Sequence, residues 1–170
     1  RAVRLETERL LIRPFVPEDA EALFRVLSDP EVMRLLEPPF NWEQTEAFLQ
    51  EAGFASPPLI YALEQKDNGR LAGSCIFHPY DGPEEYELGW VLRRDCWGQG
   101  FAGEVTKALA ARAGRMGLES LVIEFCLEQG ASRKLAEKFG FRPPGTRDGL
   151  EVYRYSLKER DENERQKEVF

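Results

Sequence analysis

Three glycines, Gly98, Gly100 and Gly103, punctuate the stretch W-G-Q-G-F-A-G-E at residues 97–104. Their spacing suits one kind of chemistry. Glycine lets the backbone approach a ligand with no Cβ in the way. A loop that opens a helix leaves several N–H groups without intrahelical acceptors, at the end where the helix dipole favours negative charge. The natural guest is a phosphate or pyrophosphate. The flanking pattern is consistent with that geometry. Tyr86 to Leu92 reads as an apolar strand, and Ala102, Val105, Ala108, Leu109 and Met116 form the apolar stripe of a following helix. Glu104 falls in its first turn, Arg112 and Arg115 in its last, and Gly117 ends it, as dipole and cap rules require.

Two classes of enzyme use such a loop. Residues 98–103 spell G-x-G-x-x-G, and the acidic Glu124 follows at about the spacing with which a dinucleotide fold holds a ribose. An NAD-dependent oxidoreductase is therefore the reading to exclude. Its fingerprint needs the strand to run straight into the first glycine, whereas Arg93, Arg94, Asp95, Cys96 and Trp97 intervene here. It also opens a doubly wound parallel sheet, and this chain supplies a single strand–helix–strand unit around the loop.

The elements that must position the loop are read from periodicity and breakers. Leu10 to Phe15 is a short strand, ended by Pro14 and Pro17. A helix to about Ser28 carries Ala20, Leu23, Phe24 and Leu27 at helical spacing, and a further short helix runs to about Leu36. Asn41 caps a helix whose face holds Thr45, Phe48, Leu49 and Ala52. Leu59 to Glu64 and Leu71 to Phe77 make a hairpin across residues 66–70. Leu121 to Leu127 is a buried strand, Ala131 to Phe139 a helix stopped by Gly140, and Glu151 to Leu157 a last strand. One domain over residues 1–158 is expected, followed by a charged tail at 159–170.

Composition narrows the partners. The 170 residues carry a formal charge of −7, which disfavours nucleic acid and suits a cationic substrate such as an amine. No apolar run reaches the ~20 residues of a membrane span. Cys75, Cys96 and Cys126 match neither a metal-ligand spacing nor an even disulfide set, so no metal and a cytoplasmic setting are expected. No Cys–His pairing suggests an acyl-enzyme, and the single histidine, His78, reads as a strand-end residue.

Four stretches, in order, resemble the GNAT superfamily of acetyl-CoA-dependent N-acetyltransferases, most closely its RimJ/RimL-like branch. They are L-E-T-E-R-L-L-I-R-P-F (Leu5 to Phe15), E-L-G-W-V-L (Glu87 to Leu92), W-G-Q-G-F-A-G-E (Trp97 to Glu104) and S-R-K-L-A-E-K-F-G-F (Ser132 to Phe141). The resemblance implies an α/β (α+β) fold. Its mixed, mostly antiparallel sheet of six to seven strands is splayed at a central parallel pair and flanked by helices. Acetyl-CoA is then the co-substrate, entering between the parallel strands. Its pantetheine arm pairs with backbone near Leu92 and Arg93, its pyrophosphate sits on the amides of Gly98, Gln99, Gly100, Phe101, Ala102 and Gly103, and Gln129 is an amide partner. Only the leading polar residue of the family's loop pattern is replaced, by Trp97.

By the same resemblance Glu87 is the general base for direct attack of an amine, with Glu85 and Glu84 as alternatives. Ser132 is the candidate acid or thiol-orienting group, since the position where many relatives carry a tyrosine is Ala136 here. Ser132 is equally readable as a cap or a plain CoA contact. Arg93, Arg94 and Arg133 are either phosphate ligands or surface charge. Phe40, Trp42, Phe48 and Phe54, with Glu37, Glu43, Glu46 and Glu51, suit a cationic acceptor or simply helix packing. The acceptor is a protein N-terminus or a small-molecule amine, and a homodimer is possible. The competing class is a non-catalytic acyl-CoA-binding module on the same fold.

Overall fold

The computed structural model describes residues 2–158; the tail expected at 159–170 lies outside them. Those residues form two compact units. One runs to His78 and adds Gly89–Ala108; the other joins Pro79–Leu88 to the chain from Leu109 onward.

In the first unit, β1 (Leu5–Glu6), β2 (Leu10–Arg13), β3 (Ile60–Gln65) and β4 (Leu71–Tyr80) are consecutive antiparallel neighbours, followed by β5 (Gly82–Leu92). Between β2 and β3 come α1 (Ala20–Leu27), α2 (Pro30–Met33) and α3 (Trp42–Phe48). Asn41 caps α3 as expected: its side chain accepts from the Gln44 amide, and Gln44 reciprocates on the Asn41 amide. The helix continues as a single π-type turn, Leu49–Gly53, which the periodicity does not announce. Leu23, Val26, Leu49, Ile60 and Ala62 are buried together in this unit's core. Phe40, Phe48 and Phe54 pack against it, while Trp42 stays 41 % exposed, edge-on to Phe24.

The second unit orders its strands β5, β6 (Ser120–Phe125), β8 (Leu150–Ser156), β7 (Arg142–Arg147), with α5 (Gly130–Phe139) between β6 and β7. β5 and β6 are the parallel pair; β6–β8 and β7–β8 are antiparallel. The mixed, mostly antiparallel sheet is thus present, with eight strands in place of six or seven. The extra strands have plain physical reasons for being missed. β1 is two residues long, and β7 (R-P-P-G-T-R) is exposed throughout with no apolar alternation. Its prolines are tolerated because it is an edge strand. β6 also stops at Phe125, two residues early, and Leu127 is 65 % exposed.

The helix after the loop, α4 (Phe101–Arg115), passes through both units. Its buried stripe is Phe101, Val105, Leu109, Ala110 and Ala113; Met116, expected on that stripe, lies past the helix end and is exposed. No helix among the described residues is long and apolar enough to cross a membrane.

Candidate active site

In the first unit, the segment between β5 and α4 explains the five-residue gap. A short 3-10 turn, Arg94–Cys96, carries the chain from the strand to the loop. Gly98 and Gly100 then take φ of +71° and +83°, left-handed values that cost other L-residues about 1–2 kcal/mol. A Cβ on Gly98 would meet nothing within 4 Å, so the loop backbone faces open space. The first intrahelical bond runs from the Glu104 amide to the Gly100 carbonyl. The amides of Phe101, Ala102 and Gly103 therefore have no acceptor within the helix. That donor set fits a pyrophosphate.

Side chains hold the loop in place. The Gln99 amide group donates to the Asp95 carbonyl at 2.8 Å. Trp97, although 47 % exposed, donates from its indole to the Leu92 carbonyl at 3.0 Å. The Arg93 amide donates to the Ala72 carbonyl, and its guanidinium bonds to Asp95 and the Leu71 carbonyl. Arg94 pairs with Asp29. Both arginines therefore brace the turn. Glu104 accepts from the Thr7 hydroxyl at 2.6 Å and from the Arg9 amide and Nε at 3.1 and 2.8 Å. Burial alone would raise the Glu104 pKa; these donors outweigh it and lower it. Thr7 and Arg9 were not among the expected site residues. They lie more than ninety positions from Glu104, and no local pattern signals such a contact.

In the second unit, the β5–β6 register sets Glu85 opposite Ser120 and Glu87 opposite Val122, and β6–β8 sets Val122 opposite Arg154. Directly opposed residues share a sheet face. Glu87, buried Val122 and Arg154 therefore form one row, with Glu85 and Glu124 on the same face by alternation. The other face carries Tyr153 and Tyr155, packed against Glu137 and Phe139 of α5. The registered β5–β6 pairs end at Glu87 and Val122, while β6 goes on pairing with β8 to Phe125.

The carboxylates of this face are differently engaged. Glu85 accepts two bonds from Arg154 at 2.6 and 3.2 Å and one from Ser120 at 2.6 Å. The Arg154 guanidinium beside it holds Glu85 below the ordinary carboxylate range, against the opposing effect of burial. Glu124, the ribose ligand of the dinucleotide reading, instead accepts from the Tyr80 hydroxyl. Glu84 lies on the opposite face by alternation and is exposed. Glu87 is half-buried at the end of the parallel register. A cleft of about 300 Å³ lies among Tyr80, Asp81, Thr146, Arg147, Val152 and Arg154.

Ser132 sits half-buried in the first turn of α5 and is not its cap; that position is Gln129. The Gln129 side-chain Oε1 accepts from the Cys126 amide at 2.9 Å, closing the turn after β6. Arg133 bonds to the Leu127 carbonyl and lies 3.6 Å from Glu151. Ala136 is fully buried. Cys75 and Cys96 are buried, which pushes Cys75 up to about 12 and raises Cys96. A thiolate nucleophile is therefore disfavoured at both.

Residues 9–142 match the acetyltransferase (GNAT) domain family. The chain belongs to that family. The uncharacterized N-acetyltransferase YoaA of Bacillus subtilis (strain 168) is 31 % identical over 160 residues, covering 89 % of this chain and 88 % of the relative. A second B. subtilis relative, the uncharacterized N-acetyltransferase YnaD, is 28 % identical over 145 residues, covering 84 % and 85 %. The crystal structure of a GNAT-family acetyltransferase from Bacillus anthracis superposes with a TM-score of 0.83 at 27 % identity, covering 92 % of this chain and 99 % of that one. The glycine loop of this GNAT acetyltransferase is thus set in an acyltransfer fold, and the G-x-G-x-x-G spelling is no dinucleotide fingerprint.

Proposed function

We propose that this GNAT acetyltransferase moves the acetyl group of acetyl-CoA to a primary amine, either a protein N-terminus or a small-molecule amine, as in the RimJ/RimL-like branch. The observation that carries the reading is the left-handed Gly98–Gly100 loop opening α4 in a member of this family. Its first-turn amides are the pyrophosphate donors, and Leu92, Arg93, Gln129 and Ser132 are contacts of the pantetheine arm.

Glu87 is the general base. The amine nitrogen attacks the thioester carbonyl carbon, Glu87 takes the amine proton directly or through water, and the carbon–sulfur bond breaks. The departing thiolate takes a proton, for which Ser132 is the candidate donor. Glu85 is a poorer base, because Arg154 and Ser120 already occupy both its oxygens and depress its basicity.

The test is thiol release from acetyl-CoA with a panel of amines, on wild type and Glu87→Gln. Turnover that collapses in the variant is the expected result. Tight CoA binding with no turnover on any amine would favour the non-catalytic module, and turnover intact in Glu87→Gln would remove Glu87 from the mechanism.

A further inference from the structure

We propose that Arg9, in the turn between β1 and β2, is a phosphate-binding residue of the glycine loop and sets its preference for a phosphate-bearing acyl donor. The inference rests on the acetyl-CoA reading above. The turn T-E-R-L is rigidly held. The Thr7 amide donates to the Leu10 carbonyl, the Leu10 amide donates to the Thr7 hydroxyl, and the Lys66 amide donates to the Arg9 carbonyl. From that base the guanidinium reaches the start of α4.

Two contacts orient it there, and a third distance places it beside the loop. Nε donates to Glu104, Cζ lies 4.4 Å from the centroid of the Phe101 ring, and Nη2 would stand 3.4 Å from a Cβ built on Gly100. The planar fork is therefore held by one edge and one face, with Nη2 beside Gly100 of the loop. The side chain is 42 % exposed, so a ligand arriving from solvent can reach it. Arginine's rigid donor fork matches phosphate geometry. The amides of residues 101–103 offer partial positive charge only; Arg9 places a full cation beside them.

A competing role must be separated from this one. Glu104 puts a carboxylate one turn inside the helix, where it repels an anion, and Arg9 could act only by cancelling that charge. Four proteins distinguish the two: wild type, Arg9→Gln, Glu104→Gln and the double variant. CoA affinity is measured by calorimetry, with melting temperature as the check on folding.

Arg9→Gln is expected to weaken CoA binding about tenfold, the size of one charge-assisted hydrogen bond. A similar loss is expected in the Glu104→Gln background. The defect should appear in KM for acetyl-CoA and be absent for acetyl-pantetheine, which carries no phosphate. Arg9→Lys, which keeps the charge without the fork, should fall between wild type and Arg9→Gln, and it serves as the second variant if Arg9→Gln fails to fold.

A loss that vanishes once Glu104 is neutral would overturn the inference, as would an equal loss with acetyl-pantetheine. A wild type that binds no CoA would instead defeat the acetyl-CoA reading itself, a result separate from any defect confined to Arg9.

Discussion

The loop of the first unit and the polar row of the second are built from opposite materials. The loop presents main chain: two left-handed glycines and the open amides of α4, with side chains such as Glu104, Gln99 and Trp97 serving as braces. The row presents side chains, Glu85, Glu87, Glu124 and Arg154, placed on one face by the pairing of β5, β6 and β8. A main-chain site tolerates much change of residue so long as the glycines and the helix start persist. A side-chain site is altered by a single exchange of chemistry. On the function proposed above, the loop is therefore expected to be the robust element and the carboxylate row the fragile one.

That contrast is most easily broken at Glu87. Glu87→Gln keeps shape and removes basicity, and kcat should fall by about 10²–10³, within the range of general-base contributions. KM for acetyl-CoA should change little, since the loop is untouched. A large KM effect with kcat preserved would mean that the row serves binding, and the division of labour would be wrong. Steady-state kinetics on both proteins, with acetyl-CoA and the amine varied in turn, checks it.

Gly100→Ala probes the other side. At φ +83° an added Cβ costs about 1–2 kcal/mol of backbone strain, and it would also lie 3.4 Å from the Arg9 Nη2. The expected outcome is a lower melting temperature and a several-fold higher KM for acetyl-CoA, with the KM for the amine unaltered. Steady-state kinetics with each substrate varied in turn separates these. Should Gly100→Ala spare KM and depress kcat, the loop would be acting on the chemical step.

The same contrast governs how much was legible before the structure. Gly98 and Gly100 announce themselves because their requirement is local: φ sign and helix start depend on a few adjacent residues. The hairpin of β3 and β4, the Asn41 cap and the stop at Gly140 are local too. The clamp of Thr7 and Arg9 on Glu104, and the row through Glu87, Val122 and Arg154, are set by strand order and register, which no short window encodes. β7 escaped notice because an exposed edge strand with two prolines has no reason to alternate in hydropathy. Leu127 misled in the other direction: its apolar character extended a strand that ends at Phe125, past which the chain turns under the Gln129 side chain.

The smallest expected effect concerns the partner of Glu85. Its pKa is lowered chiefly by the Arg154 bond, with Ser120 assisting and burial opposing, and its side chain is 15 % exposed. A carboxylate depressed in the folded state binds fewer protons there than in the unfolded chain. It thus contributes stability that is fully present above the unfolded value, near 4.3, and is lost as pH falls through the folded value. Urea unfolding measured from pH 7 down to pH 3 should show this loss in wild type. Arg154→Gln should cost about 1–2 kcal/mol at pH 7, because it leaves Glu85 charged and half-satisfied, and should flatten the acid decline. If the variant instead lost stability in parallel with wild type across that range, Arg154 would not be what depresses Glu85. Glu85 would then regain standing against Glu87 as the base on this face.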